Sequence, residues 1–333
     1  MPKFKGRISD RGKWDENKMK EAVKNVMEGK LSVRQAADRT PESTSIARAV
    51  GFNKPQVSRF FGQLNHLQEK YKFPPSRIYN TDETGVSNVH KNDKVISIKG
   101  KKQVGKLTSA ERGRNITLTF AMNVTGHFIP PLFIFPRKKM DKNGRLMIGA
   151  PPDSIATPQE SGWMNGEVFF QWLQHFKQHV QPTETNPVLL ILDGHASHKE
   201  LAVIKYARNH HIHMLSTPPH TTHKLQPLDR TFFKPFKSAF ATASSAWMRR
   251  NPAARITDYD IAALVDEAFS RAARLDIAQN GFKCTGIYPF NPEIFTDIDF
   301  FTINDDRCDA RSFFQRKYGQ SVLSSTFFAS ALH

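Results

Sequence analysis

The sequence predicts an α/β fold in which helices cover a mixed central sheet, and three patterns support it. Residues 116–122 and Phe128–Phe135 are β-prone runs joined by a turn segment that ends in Gly126. Residues 167–180 place apolar side chains at helical spacing, which predicts an amphipathic helix. Strand and helix patterns then alternate through residues 187–192, 200–209 and 213–216. This order is typical of a mixed sheet with packed helices.

Further elements precede and follow these patterns. Residues 77–83 predict a strand that leads into Gly85. Residues 257–273 predict a helix with Asp258 and Asp260 in its first turn. Pro235 predicts a bend or a restart in the aromatic helical segment around it, because proline lacks the backbone N–H that a helix interior needs.

Asp193 directly follows the apolar run at residues 187–192, which has the pattern of a strand buried on both faces. The carboxyl end of such a strand is where open α/β sheets usually carry their ligand sites. The alternative is that Asp193 caps a helix beginning near Ser197.

Asp82 and Asp229 are two further candidates, each with a structural alternative. Asp82 and Glu83 end a predicted strand; neighbouring strand side chains point to opposite faces, so at most one of them enters a site, and the pair could be a solvated strand end. Asp229 follows Pro227, which suits the first turn of a helix, where a carboxylate also gains from the helix dipole.

Carboxylates suit metal-dependent phosphoryl transfer, because Mg²⁺ and Mn²⁺ prefer hard oxygen ligands. Two such ions stabilise the attacking and leaving oxygens of an in-line displacement. Asp82, Asp193 and Asp229 are therefore the candidate catalytic and metal-binding residues.

Three motifs contain these aspartates and resemble the pogo, Tigger and jerky group of transposon-derived DDE superfamily endonucleases. They are IYNTDETG at 78–85, LILDGHASH at 190–198 and PPHTTHKLQPLD at 218–229. GKKQVG at 100–105, TSAERG at 108–113 and PPLFIFPR at 130–137 also resemble that group. The resemblance runs from about residue 41 to about residue 295, with the motifs in the family's order.

The resemblance implies an RNase H-like core in which Asp82, Asp193 and Asp229 match the family's three metal-binding carboxylates and Glu83 matches a non-catalytic neighbour. The implied function is Mg²⁺- or Mn²⁺-dependent cleavage and strand transfer on DNA, with a homodimer on paired DNA ends. The alternative is a domesticated, catalytically silent DNA-binding nuclear protein. An RNA nuclease on the same core is a third reading.

The charge balance supports a nucleic-acid partner, since 48 Lys and Arg against 31 Asp and Glu leave a net charge of +17 on 333 residues. The richest patches are residues 99–106 and 137–145, although such runs are often solvated loops. The candidate DNA-binding residues are Lys101, Lys102, Lys106, Arg137, Lys138, Lys139 and Arg34.

Cysteines and apolar runs exclude several other classes. Cys284 and Cys308 form no paired CxxC motif, which argues against a zinc ribbon or a disulfide framework and favours a reducing compartment. No apolar run approaches the length of a membrane span, and the amino terminus lacks a signal-peptide core. We expect a nuclear protein because its partner is DNA.

The histidine pairs His195/His198 and His220/His223 share a two-residue gap that could also indicate zinc. Both pairs lie beside aspartates that already form a hard-metal set. Support of those carboxylates, or contacts to phosphate, is the favoured role.

The amino-terminal segment predicts two short helices, one with an apolar stripe beginning at Met19 and one opened by a capping box at Ser32 and Gln35. Residues 13–39 resemble the start of a pipsqueak-type helix-turn-helix. The recognition-helix segment at Thr40 and Pro41 follows too soon, so we interpret the chain as internally shortened near Arg39 and Thr40. A makeshift recognition helix beginning at Thr40 is the alternative.

These observations predict five regions. A partial helix-turn-helix spans residues 1–39, a helical connector 40–75, the catalytic domain 76–250, a helical extension 251–295, and a poorly defined tail 296–333.

Overall fold

A mixed six-stranded sheet forms the centre of the protein in the computed structural model, which describes residues 51–89, 113–252, 254–296 and 299–300. The strands are β1 (Ile78–Ser87), β2 (Asn115–Asn123), β3 (Phe128–Phe135), β4 (Ile155–Pro158), β5 (Val188–Leu192) and β6 (Ile212–Ser216). Their order across the sheet is β4-β3-β2-β1-β5-β6. The predicted helical N-terminal segment, Arg34, the patch at 99–106 and residues 301–333 lie outside the described residues.

The strand directions follow from the lengths of the connections. β1, β2 and β3 pair antiparallel, with β2 and β3 joined by the tight turn at Gly126, which adopts a φ of 81°. β4, β5 and β6 each pair parallel to a neighbour, and α-helices precede β5 and β6. β1, β3, β4, β5 and β6 therefore all end at the same edge of the sheet.

Helices cover both faces of the sheet. They are α1 (Lys54–Tyr71), α2 (Gly166–Val180), α3 (Leu201–Asn209), α4 (Thr222–Leu225), α5 (Phe233–Arg250), α6 (Ile261–Ala272) and α7 (Leu275–Cys284). One core cluster joins α2 and α3 to sheet residues such as Leu132 and Leu190. The other joins α1, α5, α6 and α7 to the opposite face, which includes Phe120 and Ile191. The predicted RNase H-like fold, a mixed sheet with flanking helices, is confirmed.

Several boundaries differ from the prediction. β1 continues to Ser87 because β2 pairs with it over its whole length past Glu83. The sequence analysis missed β4, which has only four residues and too few for a visible period. α5 begins at Phe233, so Pro235 lies in its first turn, and a π-helical turn at Leu228–Phe232 precedes it. The predicted restart near Pro235 is thus confirmed.

The predicted helix at 257–273 begins later, at Ile261, so the placement of Asp258 and Asp260 in its first turn is wrong. The Asp260 carboxylate accepts hydrogen bonds from Thr257 N (2.8 Å) and Thr257 Oγ1 (2.7 Å), which fixes a turn before the helix. Asp258 is instead buried and contacts Arg114 at 3.1 Å and Arg137 at 3.6 Å.

We expect Phe120→Ala to lower the free energy of unfolding by about 3–5 kcal/mol. The Phe120 ring is fully buried on β2, with centroids 4.9 Å from Phe236 and 5.1 Å from Phe232, so its removal leaves a cavity between the sheet and α5. Urea unfolding measures the change. Ile148→Ala, at a residue 66% exposed, is the control and should change stability by less than about 0.5 kcal/mol. Equal effects of the two changes would contradict this account of the core.

Candidate functional site

Asp82 and Asp193 lie on adjacent parallel strands. Asn80 pairs with Ile191 across β1 and β5, and the same register continued by two residues places Asp82 beside Asp193, immediately after the end of β5. Asp82 is half-buried within β1, so the alternative of a solvated strand end is wrong. Asp229 lies in the π-helical turn that follows Pro227.

The buried side chain of Asn80 joins all three aspartate segments. Its amide nitrogen donates to the carbonyl of Ile191 (3.0 Å) and to Oε1 of Gln226 (2.6 Å), while its oxygen accepts from the backbone N–H of Leu228 (3.0 Å). Asn80 and Gln226 are both inaccessible to solvent. Since Asn80 lies two residues before Asp82, Ile191 two before Asp193 and Leu228 one before Asp229, this set of bonds, the Asn80 network, sets the spacing of the three segments.

The electrostatics show that the three carboxylates are close together. Burial raises the pKa of Asp82 well above its usual value, and the negative charges of Glu83, Asp229 and Asp193 raise it further. A hydrogen bond from the Glu83 N–H to Asp82 Oδ1 (2.9 Å) opposes this only in part. The structure thus brings together the carboxylates that the sequence singled out.

His198 holds Asp193 from the side. Its Nδ1 lies 3.1 Å from Asp193 Oδ1, and its Nε2 lies 3.9 Å from Glu83 Oε1, which is longer than a hydrogen bond. Burial would lower the pKa of His198, but the carboxylates of Asp193 and Glu83 raise it to about 9. Burial likewise raises the pKa of Asp193, whereas hydrogen bonds from His198 and from the His195 amide, and the charges of both imidazoles, bring it below its usual value. His198 is therefore a cation at neutral pH.

The other predicted features of this region have mixed outcomes. Asp193 does not cap the following 3₁₀ turn, whose cap is His195; instead Asp193 Oδ1 accepts from the His195 N–H at 2.9 Å. The support of a carboxylate expected of the histidines is present at His198. Glu83, interpreted as a neighbour outside the site, contacts His198 and adds negative charge.

No metal cluster is preformed among the described residues, where no group of three or more His, Cys, Asp or Glu side chains is spaced to hold an ion. The zinc alternative for the histidine pairs therefore has no support in this part of the chain. For the aspartates, the cause is visible, because the carboxylates of Asp193 and Asp82 accept the local hydrogen bonds described above.

The described basic candidates lie at the end of β3. Arg137 is largely buried and lies 3.6 Å from Asp258, whereas Lys138 is exposed and lies 3.9 Å from Glu160. Lys139 is exposed. Lys101, Lys102, Lys106 and Arg34 fall outside the described residues.

Comparison with known families follows the same division of the chain. Residues 113–269 match the model described as DDE superfamily endonuclease, and residues 15–39 match the model described as helix-turn-helix, Psq domain. The chain carries a DDE superfamily endonuclease domain and a Psq-type helix-turn-helix. The endonuclease match includes Asp193 and Asp229 but not Asp82, and the helix-turn-helix match ends at Arg39, where the sequence analysis places the break.

A curated relative, the MFS-type transporter clz9 of Cochliobolus lunatus, is 28% identical over 237 residues, which cover 68% of this chain and 24% of that protein. The chain therefore spans about a quarter of the relative's length, and the name of the relative belongs to that whole protein. In the described ranges, no helix is long and apolar enough to cross a membrane.

Solved structures of Mos1 are also similar. The pre-cleavage Mos1 transpososome shares 16% identity at a TM-score of 0.42, covering 80% of this chain and 73% of that one. The Mos1 mariner paired end complex with Mn shares 14% identity at a TM-score of 0.43, covering 85% and 81%.

Two features of the site carried signals that the sequence analysis did not use. Asn80 lies two residues before Asp82 and so shares its strand face, and Gln226 precedes the Pro227 turn. A polar residue inside a predicted buried strand is such a signal, since it needs a buried partner.

We expect Asn80→Ala to cost about 3 kcal/mol or more, because it strips partners from Ile191 O, Gln226 Oε1 and Leu228 N, and each unsatisfied buried group costs about 1–3 kcal/mol. Urea unfolding measures it. Asn65→Ala, which removes only an exposed hydrogen bond to Glu69 on α1, is the control and should cost less than about 0.5 kcal/mol. A loss for Asn80→Ala as small as that of the control would contradict the role of the Asn80 network.

The His198 pKa predicts a pH dependence of stability in EDTA. Because the folded value of about 9 lies above the usual 6.5, the contribution is complete below pH 6.5 and lost as pH rises through 9. The full loss is about 3 kcal/mol, at about 1.4 kcal/mol per pKa unit. Unfolding at several pH values should show this slope in the parent protein and a flatter one in His198→Gln. An NMR titration midpoint of His198 near 6.5 would contradict it.

Proposed function

We propose that this chain is a transposase-derived DNA endonuclease in which Asp82, Asp193 and Asp229 hold Mg²⁺ or Mn²⁺ for phosphodiester cleavage and strand transfer. The observation that carries the proposal is the crowding of carboxylates, in which burial and the charges of Glu83, Asp229 and Asp193 raise the pKa of Asp82. A fold gains nothing from buried like charges unless a cation or a proton joins them.

The donor set fits the proposed ions, because carboxylate oxygens are the ligands that Mg²⁺ and Mn²⁺ prefer. Binding requires the Asp193 carboxylate to turn from its 3.1 Å contact with His198 towards Asp82. When bound, the ions would supply an activated water or DNA hydroxyl and stabilise the leaving oxygen.

The part played by the protein is placement. β1 and β5 hold Asp82 and Asp193 side by side, and the Asn80 network holds the turn that bears Asp229. The cationic His198 lies between Asp193 and Glu83 and offsets part of their charge. This pairing keeps Asp193 ionised and ready to serve as a ligand.

DNA is the proposed partner. The Psq-type helix-turn-helix match at residues 15–39 and the net charge of +17 both favour it. We further propose action in the nucleus, where the DNA lies, and assembly as a homodimer, because joining paired DNA ends needs a site at each end.

One observation favours the second candidate function, a catalytically silent DNA-binding protein. In the described part of the chain the carboxylates are not arranged to hold a metal, and Asp193 is paired with a histidine cation. A protein that keeps this pairing in the presence of metal would bind DNA without cleaving it.

Asp193→Asn, Asp82→Asn and Asp229→Asn should each reduce DNA nicking in Mg²⁺ or Mn²⁺ by at least about a hundredfold, because ion-mediated stabilisation of the transition state is worth several kcal/mol. Nicking of supercoiled plasmid measures the rate. The same ions should raise the melting temperature of the parent protein but not of the three variants. Asp276→Asn, at an exposed carboxylate paired with Arg274, is the matched control and should behave like the parent.

The outcomes separate the two candidates. Nicking that survives Asp193→Asn would refute the proposed centre. DNA binding that weakens steeply with salt, without nicking and without a metal-induced shift in melting temperature, would select the silent protein. Absence of DNA binding at low salt would reject both.

A further inference from the structure

Trp163 exposes a large aromatic surface to solvent. It is 67% exposed, whereas Trp172 is fully buried and Trp247 is half-buried. A tryptophan that contributes so little to the core leaves its apolar area in water, which is unfavourable unless the ring has a ligand.

The loop that bears Trp163 is held in place by specific contacts. Thr117 Oγ1 on β2 donates to the carbonyl of Gly162 (2.7 Å), and the Gln159 side chain accepts from the N–H of Gly162 (3.1 Å). Gly162 has a φ of 73°, and a Cβ added there would lie 3.0 Å from Pro136 Cβ. The ring is therefore presented by an ordered loop, which is what a binding platform requires.

A shallow pocket of about 340 Å³ opens beside the ring. Its lining combines Trp163 with hydrogen-bonding groups of Asn115, Thr117 and Ser161 and with the side chain of Arg114. The Arg114 guanidinium donates to Asp258 at 3.1 Å, yet its side chain remains 58% exposed. The pocket thus offers an aromatic face, polar groups and a cation together.

The pocket lies at the same sheet edge as the aspartates. β4 ends at Pro158, just before this loop, and β1, β4 and β5 all end at that edge. The loop leads into α2, whose Phe169 ring lies 4.1 Å from the ring of His198, the partner of Asp193. Gly166, in the first turn of α2, packs so closely on the Glu200 carboxylate that a Cβ there would overlap it. These contacts connect the loop directly to the Asp193 segment.

We propose that Trp163 and Arg114 form a binding site for an unpaired nucleotide of the DNA substrate, with the base stacked on the indole and a phosphate near the guanidinium. Stacking on an exposed aromatic ring is how proteins hold unpaired bases, and every base can use it. A paired base is already stacked within its duplex and cannot cover the ring. This inference rests on the proposed function, because it assumes that the chain acts on DNA.

The experiment measures binding of the full chain in EDTA to three labelled DNAs by fluorescence anisotropy. They are a blunt duplex, the same duplex with a short single-stranded extension, and the extended duplex with abasic sites in the extension. The parent protein should bind the extension with bases about tenfold more tightly than the abasic one, the effect of stacking about one base. The two extended DNAs carry the same phosphates, so this ratio isolates the bases.

Trp163→Ala should reduce that ratio to within about twofold and leave binding of the blunt duplex unchanged, while Trp163→Phe should keep most of it. Ile148→Ala, at a residue 66% exposed, is the control and should keep the full ratio. Quenching of tryptophan emission by the extended DNA, lost in Trp163→Phe, gives a second readout.

Equal binding of the two extended DNAs by the parent protein, an unchanged ratio in Trp163→Ala, or no DNA binding at all would overturn the inference. A loss in Trp163→Ala that is equal for all three DNAs would also overturn it, since a structural defect or a protein-binding surface would give that result. Nicking assays with Asp193→Asn test the catalytic proposal separately, so either proposal can fail while the other stands.

Discussion

The Asn80 network is the constraint on which the candidate site depends. One buried amide uses two donors and an acceptor to fix β1, β5 and the turn before Asp229 relative to one another. Residues 146 and 148 positions away in the sequence are its partners, so the geometry exists only when the whole sheet has formed. Because unsatisfied buried polar groups are costly, the network favours one register over all others.

The same placement creates an electrostatic problem. Asp82, Asp193 and Asp229 would repel one another, and burial of Asp82 makes that repulsion stronger because the screening by water is reduced. His198 offsets part of the charge at Asp193, and a divalent ion would offset the rest. The site is therefore balanced between a form in which Asp193 pairs with histidine and a form in which it binds metal, and both candidate functions follow from that balance.

Much of the fold was predictable because its signals are local. The β2–β3 hairpin, the helix Gly166–Val180 and the strand before Asp193 each have a clear period or an apolar run. β4 and the start of α6 were not predictable. β4 has four residues, and α6 begins late because Asp258 is drawn to Arg114 and Arg137 and Asp260 bonds to Thr257. Arg114 and Arg137 are far from α6 in the sequence, and no local pattern reports them.

The sequence by itself determined which carboxylates matter, because Asp82, Asp193 and Asp229 each stand in a recognisable local setting and in motifs that resemble one family. Only the tertiary structure decided how they are held. It showed that Asn80 spaces them, that His198 pairs with Asp193, and that Trp163 stands exposed at the same edge of the sheet. The physical reason is range, since strand and helix patterns are written in neighbouring residues, whereas buried hydrogen bonds, charge pairs and exposure depend on residues that meet only after folding.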